Sequence, residues 1–299
     1  MNLEYSVCVM MSTYNGETYL PQQIESILSQ EKIKINLLIR DDESTDNTLN
    51  IIEKYRDDKR VKYYSGKNIG PAFSFIDLLF AAEDYDYYAF ADQDDYWEAN
   101  KIYEAVKVLE SYKEFPALYS SLTEVVDENL NFKNRFYGTK KQYNFLTQLA
   151  RSNAIGCTMV FNKRLFCMTR VYRPQYICMH DQWVNIICKA LDGIEIKDSR
   201  SFVKYRQHSS NVLGAEQNFV RRLKKSALFA EGNSRYNQAY ELIQGYKEYM
   251  RDEYYRQIMD VIQYKTCFAS RIRCIVYNYN TGRPLYNMLI RLSFIRGKF

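Results

Sequence analysis

The amino-terminal two thirds of the chain alternates between short apolar runs and helical patterns, and this alternation constrains the fold most. Residues 6–11 (SVCVMM) form an unbroken apolar run, typical of a strand buried on both faces of a sheet. Residues 18–30 then place Leu20, Ile24 and Ile27 on one side of a predicted helix. Further strands are predicted at 35–40, 61–64, 87–91, 117–121, 158–161, 195–197 and 201–205, and further helices at 44–55, 71–82, 100–112 and 181–190. The alternation predicts an α/β domain.

Residues 216–299 have a different composition from the rest. They contain 15 Lys/Arg against 7 Asp/Glu, whereas residues 1–215 contain 26 against 29. Their pattern is helical, with one short strand predicted at 273–277. We therefore predict an α/β domain at 1–215 and a basic, aromatic-rich helical extension at 216–299. Three uses of the extension stay open: packing on the domain, contact with an anionic membrane surface, and assembly of a homo-oligomer.

Composition excludes several classes of protein. The 299 residues include only 11 glycines, and none form the spacings that bind dinucleotides or the phosphates of P-loop NTPases. The 7 cysteines contain no C-x-x-C pair, which argues against a disulfide framework or a zinc site. No apolar run is long enough to span a bilayer, and residues 1–6 do not resemble a secretion signal, so we expect a cytoplasmic protein.

Three polar clusters directly follow predicted strands, where ligands bind in open α/β sheets. They are STYNGE at 12–17, DDESTD at 41–46 and DQDD at 92–95. Asp92 and Asp94 can face one point, and paired carboxylates suit a Mg2+ or Mn2+ ion that holds a nucleotide diphosphate. The alternative is an acidic turn that caps the next helix, which is the usual role of an isolated D-x-D; the position after a buried strand and the other clusters count against it here. Helix capping would explain Ser44 or Thr45 but not the two adjacent carboxylates Asp41 and Asp42, which could contact a base or a ribose.

The chain has two histidines, His180 and His208, and each stands beside other reactive side chains. Asp181 follows His180 at a predicted helix start, where it could act as a general base or cap the helix. His208 could complete a metal site or bind a diphosphate, although a lone histidine is more often structural. These alternatives stay open from the residues alone.

Taken together, the motifs resemble those of the inverting family 2 glycosyltransferases, whose catalytic domain has the GT-A fold. The resemblance covers roughly residues 5–215, and the DQDD-x-W and R-Q-H-x-x-N-V-x-G forms are most similar to bacterial rhamnosyltransferases of cell-wall and capsular polysaccharide synthesis. The motifs that carry it are MSTYNGETYLPQQIESILSQ, LLIRDDESTDNT, the Asn68-Ile69-Gly70 turn, FADQDDYW, SNAIGCTMVFNK, MHDQW and YRQHSSNVLG.

The resemblance implies a role for individual residues of this chain. Asp181 would be the general base, and Asp94, Asp92 and His208 would bind Mg2+ or Mn2+. The residues implied to contact the nucleotide-sugar are Thr13, Tyr14, Asn15, Glu17, Asp41, Asp42, Asn68, Gly70, Asp92, Gln93, Gly156 and Cys157. The chain departs from the family at one position, because His180 stands where a glutamate commonly precedes the base.

The implied activity is inverting transfer of a sugar, best matched by L-rhamnose from dTDP-L-rhamnose, to a glycan or lipid-linked acceptor. The chain would then act in the cytoplasm, peripherally on the inner face of the plasma membrane. A UDP-glucose or UDP-galactose donor and a non-catalytic sugar-nucleotide binding module are the alternatives. The STYNGE loop argues against a nucleotidyltransferase because it has one glycine and no basic residue. No nucleic-acid-binding motif is present, so nucleic acid is not an expected partner.

Overall fold

The computed structural model describes residues 5–208 and 234–299. Within them, one nine-stranded mixed sheet is flanked by helices, which confirms the predicted α/β class. The predicted boundary between residues 215 and 216 lies outside the described residues. The strands are β1 (Ser6–Thr13), β2 (Lys34–Asp41), β3 (Val61–Ser65), β4 (Tyr87–Ala91), β5 (Tyr96–Trp97), β6 (Ala117–Val126), β7 (Phe132–Tyr137), β8 (Val160–Asn162) and β9 (Ile194–Arg206).

The order of the strands places several carboxyl ends at one edge of the sheet. The order is β3-β2-β1-β4-β8-β6-β9-β5, and β7 pairs with the carboxyl-terminal half of β6. Strands β3, β2, β1 and β4 are parallel. Strand β8 runs antiparallel between β4 and β6, and β6 is parallel to β9. The carboxyl ends of β1, β2, β4, β6 and β9 therefore point the same way.

Helices cover both faces of the sheet. They are α1 (Leu20–Leu28), α2 (Thr48–Glu53), α3 (Gly70–Ala81), α4 (Lys101–Leu109), α5 (Phe145–Ala150), α6 (Lys163–Thr169), α7 (His180–Ala190), α8 (Ser234–Tyr246), α9 (Asp252–Gln263), α10 (Phe268–Val276) and α11 (Pro284–Ile295). In the part of the chain that the structure describes, no helix is long and apolar enough to cross a bilayer.

Two hydrophobic cores lie on opposite faces of the sheet. Val7 and Val9 of β1 belong to one core, whereas Cys8 and Met10 belong to the other, because successive side chains of a strand alternate in direction. This double burial explains the unbroken apolar run. The core that contains Cys8 and Met10 also includes Phe294 of α11, so the carboxyl-terminal helices share a continuous core with the sheet.

Two details of the sequence-based prediction were wrong. Residues 195–197 and 201–205 are not separate strands but parts of β9, whose pairing with β6 shifts register between them. Residues 273–277 were predicted as a strand, yet Phe268–Val276 is helix α10. Its buried residues, Ser270 and Cys274, are four positions apart, and Ile272 between them is 42% exposed. A strand would direct all three side chains to the same side, whereas a helix directs Ile272 away from the other two.

Candidate active site

The loops after β1 and β2 are joined by hydrogen bonds at the carboxyl edge of the sheet. Thr13 Oγ1 donates to Asp41 Oδ1 over 3.1 Å, and Asp41 also accepts from the backbone N–H and the hydroxyl of Ser44. Asn15, at a φ of 47°, donates its N–H to Ser44 Oγ and accepts from the Thr45 N–H. The first two polar clusters therefore form one preformed surface.

Gln93 connects this surface to the third polar cluster. Its side-chain amide forms two hydrogen bonds with the peptide of Tyr14, at 2.9 Å to the N–H and 3.0 Å to the carbonyl. A Cβ at Gly16 would come within 2.3 Å of Gln93 Oε1, so this packing requires glycine. Glu17 accepts from the Asn47 N–H, while the Tyr14 side chain is 48% exposed. The Tyr14 ring is thus accessible to a ligand.

Asp42 is buried and holds the start of α3. It forms an ion pair with Arg40 and accepts from the N–H groups of Ile69 and Gly70, at 3.1 and 3.0 Å. Asn68 Oδ1 also accepts from the Gly70 N–H, and Gly70 has a φ of 76° that favours glycine. The Asp42 carboxylate therefore has a structural role, and nucleotide contacts by Asp42, Asn68 and Gly70 stay predictions.

The structure brings the three predicted metal-binding residues to the carboxyl end of β4. Asp92 and Asp94 follow β4, and Asp94 Oδ2 lies 2.8 Å from Nε2 of His208, which is 114 residues away in sequence. Burial, together with repulsion from the Asp94 and Asp181 carboxylates, raises the pKa of Asp92 to about 7. Two carboxylates and an imidazole are thus held near each other at one point of the sheet edge.

Asp95 and Cys157 lie beneath these groups and are fully buried. Oxygen atoms of Asp92 and Asp95 lie within 4.8 Å of each other and of the Cys157 sulfur. Burial raises the pKa of Asp95 well above its usual range, and the thiol hydrogen bond partly offsets this. Cys157 contacts the carboxylates, and its predicted contact with a sugar stays a prediction.

Arg206, at the end of β9, fixes the position of the carboxylate loop, and the sequence analysis did not identify it. Its Nε donates to the Asp94 carbonyl over 2.9 Å, and its backbone N–H donates to Asp95 Oδ1 over 3.2 Å. The guanidinium also donates to Gln22 Oε1 and to the Glu128 carbonyl. In the sequence, the only indication of this role is that Arg206 directly precedes Gln207 and His208.

Asp181 lies in the first turn of α7 and is partly buried. Oδ1 accepts from the Gln182 N–H over 2.6 Å and Oδ2 accepts from the Gly156 N–H over 3.2 Å. Burial raises the pKa of Asp181 to about 6. The residue preceding the helix is Met179, so Asp181 is not its N-cap. Since the Asp181 charge acts on Asp92, the two carboxylates belong to one site.

Lys197 of β9 is a second functional candidate that sequence reasoning missed. Its Nζ donates to Ser120 Oγ over 3.0 Å and to the Asn153 carbonyl over 3.3 Å. Burial lowers the pKa of Lys197 to about 8, and its charge in turn lowers the pKa of Asp181. The ammonium therefore favours the ionised form of that carboxylate.

His180 is buried against aromatic rings. It stacks on Phe75 with ring centroids 3.8 Å apart and meets the edge of Phe90 at 4.8 Å. Neither ring nitrogen has a hydrogen-bond partner among the described residues, and burial lowers the pKa of His180 to about 3. A Cβ at Gly156 would come within 2.9 Å of His180 Nε2, so glycine makes room for the ring.

Comparison with known proteins identifies the family. The sequence profile described as Glycosyl transferase family 2 matches residues 8–168. The dTDP-rhamnosyl transferase RfbG of Shigella flexneri is 30% identical over 245 residues, which cover 73% of this chain and 78% of that protein. The chain therefore belongs to glycosyl transferase family 2, as the motifs predicted.

A second relative acts on a different donor. The UDP-Glc:alpha-D-GlcNAc-diphosphoundecaprenol beta-1,3-glucosyltransferase WfaP of Escherichia coli is 29% identical over 209 residues, covering 69% of this chain and 79% of that protein. The chain is thus a glycosyltransferase with rhamnosyl- and glucosyltransferase relatives.

Solved structures confirm the predicted GT-A fold. Residues 1–349 of S. aureus TarS, in complex with UDP-GlcNAc, superpose with a TM-score of 0.60 at 17% identity, covering 98% of this chain and 82% of that chain. The mannosyltransferase PcManGT from Pyrobaculum calidifontis, in complex with GDP-Man and Mn2+, gives a TM-score of 0.52 at 15% identity, covering 98% and 86%.

The buried His180 predicts acid-sensitive stability. The folded state keeps the ring neutral down to about pH 3, whereas an unfolded histidine gains a proton below about pH 6.5. The unfolded state therefore binds more protons between these values, and this residue's contribution to stability is lost as the pH falls. Relative to His180→Leu, the wild-type free energy of unfolding should fall by about 2 kcal/mol between pH 6.5 and 5.

Urea denaturation at the two pH values measures this difference. Phe75→Leu is the control, because it changes the stacking partner and leaves the titrating ring in place. This variant should keep the pH dependence of the wild type. Equal pH dependence in the wild type and His180→Leu would contradict the assignment.

Proposed function

We propose that this chain transfers a sugar from a nucleotide diphosphate donor to an acceptor hydroxyl in one inverting step, with Asp181 as the general base. The observation that carries the proposal is the partly buried Asp181 carboxylate, which accepts a hydrogen bond from the Gly156 N–H and lies close enough to Asp92 to raise the pKa of that residue. A base should titrate just below the working pH, and its pKa of about 6 meets that requirement.

The reaction follows from the chemistry of this carboxylate. Ionised Asp181 removes the proton of the acceptor hydroxyl while that oxygen attacks the anomeric carbon. The bond from this carbon to the diphosphate oxygen breaks, and its electron pair leaves with the nucleoside diphosphate. Attack from the opposite side inverts the anomeric configuration. Lys197 supports this step because its charge favours the ionised base.

The proposed metal ligands fit a hard divalent cation such as Mg2+ or Mn2+. Asp92, Asp94 and His208 offer carboxylate oxygens and one imidazole nitrogen, and such donors suit these ions. Burial and repulsion from Asp94 and Asp181 raise the pKa of Asp92, and a nearby cation would oppose that repulsion. When bound, the cation would stabilise negative charge on the departing diphosphate.

The nucleotide-binding surface is proposed from the joined loops after β1, β2 and β4. Tyr14 has an exposed ring for stacking, and Asn15, Glu17 and Gln93 line the same edge. Thr13 and Asp41 lie behind them and hold the loops together. Gly156 and Cys157 would adjoin the transferred sugar on the side of Asp181.

We take dTDP-L-rhamnose as the proposed donor, supported by the similarity to RfbG. A UDP-hexose, glucose or galactose, is the second candidate, and the similarity to WfaP favours glucose. The proposed acceptor is a glycan or a lipid-linked sugar of cell-surface polysaccharide synthesis. The proposed location is the inner face of the plasma membrane, with peripheral binding through residues 216–299.

Replacing the base should abolish transfer. We expect Asp181→Asn to lower kcat by about 10²- to 10⁴-fold, because the amide cannot accept the proton. In the wild type, kcat/KM should fall as the pH drops through about 6, since Asp181 must be ionised. Release of nucleoside diphosphate, measured against pH with donor and acceptor present, gives both results.

Donor binding and a surface variant separate chemistry from folding. Asp181→Asn should bind donor as the wild type does in calorimetry. Asp84→Asn, which removes an exposed carboxylate paired with Lys163, should keep full activity. Normal turnover by Asp181→Asn would exclude this residue as the base.

Metal dependence is tested at Asp94. We expect chelation by EDTA to stop turnover and added Mn2+ or Mg2+ to restore it in the wild type. The Mn2+ concentration that gives half the maximal rate should be at least about tenfold higher for Asp94→Asn than for the wild type, because one charged ligand is lost. The rate measured against metal concentration decides, again with Asp84→Asn as the control. Full activity in EDTA would overturn the metal proposal.

A donor screen tests the proposed sugar. Purified protein with acceptor should release dTDP from dTDP-L-rhamnose faster than it releases UDP from UDP-glucose or UDP-galactose. Faster turnover of a UDP-hexose would replace the rhamnosyl assignment with the alternative. Donor binding without release from any of them would indicate a non-catalytic module.

A further inference from the structure

Helix α10 presents an apolar stripe to solvent. Phe268, Ile272 and Val276 are 77%, 42% and 68% exposed, and their spacing of four residues places them on one side of the helix. Ser270 and Cys274 are the residues buried against the protein. A surface helix normally directs its apolar residues inward, as with Ile275 here, so a second apolar stripe on the outer side is unusual.

The neighbouring helix also exposes apolar side chains. Helix α11 packs against α10, and its Met288 and Ile295 are 48% and 54% exposed. A contiguous apolar stripe such as that of α10 marks an interaction surface more often than single scattered side chains do.

The charge of this region is of one sign. Residues 262–299 contain 7 Lys/Arg and no Asp or Glu. The preceding carboxylate, Asp260, accepts hydrogen bonds from Arg273 and Tyr277 and is mostly buried. Arg296 and Lys298 are exposed just beyond α11. The segment therefore combines exposed apolar groups with cations.

We propose that the apolar stripe of α10 inserts into the interface of an anionic lipid bilayer, with the cations around it attracted to the headgroups. Interfacial binding needs both an apolar face and positive charge, and this region supplies both. A second copy of the chain fits less well, because a two-fold contact would bring cations against cations. The inference deepens, and rests on, the proposed location at the membrane.

Vesicle sedimentation of the full chain tests the inference. We expect binding to vesicles of phosphatidylcholine mixed with phosphatidylglycerol at low salt, and much weaker binding to phosphatidylcholine alone. Replacing Phe268, Ile272 and Val276 together by serine should weaken binding by about tenfold or more, because interfacial burial of these side chains is lost. Phe115→Ser, which alters an exposed phenylalanine between α4 and β6, should bind as the wild type does.

A charge variant tests the same surface without altering the stripe. Arg296→Gln with Lys298→Gln should weaken binding by roughly fivefold for each charge removed, and added salt should reduce that difference. Absence of binding to anionic vesicles at low salt would overturn the inference. Unchanged binding by both the serine and the glutamine variants would overturn it too.

Two further measurements separate the remaining outcomes. Sedimentation equilibrium tests for contact between copies of the chain. If the wild type self-associates and does not bind vesicles, and if the serine variant is monomeric, then the stripe is a contact between copies. The lipid inference would then be wrong. The vesicle assay contains no donor or acceptor, so its failure leaves the transferase proposal intact. Loss of turnover with a soluble acceptor would in turn leave the lipid result unaffected.

Discussion

Burial of several carboxylates at one point of the sheet edge is the constraint on which the rest of the site depends. Asp92, Asp95 and Asp181 all have raised pKa values because of burial, and neighbouring carboxylates raise those of Asp92 and Asp95 further. Such a cluster persists only when other groups compensate for the lost hydration. The Cys157 thiol does so from below by a hydrogen bond that lowers the pKa of Asp92 and of Asp95. Lys101, whose Nζ lies 3.3 Å from the centre of the Trp97 ring, is itself buried: burial lowers its pKa to about 7, and the Asp95 carboxylate partly opposes this.

This compensation comes from distant parts of the chain, so the site forms only with the complete sheet. Arg206 and His208 reach the Asp94 loop from the end of β9, more than a hundred residues later. Lys197, earlier on β9, lowers the pKa of the proposed base, Asp181, from the same strand. Docking of β9 beside β6 therefore brings Lys197 and the proposed metal ligand His208 to the site together. The parallel pairing of β6 and β9 directs both toward the edge where β4 ends.

The sequence predicts those features whose cause is local. A strand that is buried on both faces consists of consecutive apolar residues, so β1 and β4 can be predicted directly. The polar residues at the ends of these strands indicate which edge of the sheet holds the site. The structural role of Asp42 was less visible, because its partners Ile69 and Gly70 are 27 and 28 residues away. Arg206 and Lys197 were missed because they act on backbone carbonyls and hydroxyls that only the tertiary fold brings near. Residues 273–277 were misassigned as a strand because a short apolar segment fits the periodicity of a helix and of a strand until its packing partners are known.

Helix α7 connects the site to the carboxyl-terminal helices. Its first turn holds Asp181, and two residues later Trp183 packs edge-on against Tyr246 of α8, with ring centroids 5.9 Å apart. Both rings are fully buried, and Tyr246 also donates to the Met168 carbonyl. A shift of α8 would therefore disturb the packing of the helix that carries Asp181. The basic helices are thus coupled to the position of the Asp181 carboxylate through ordinary core packing, independently of any surface to which they bind.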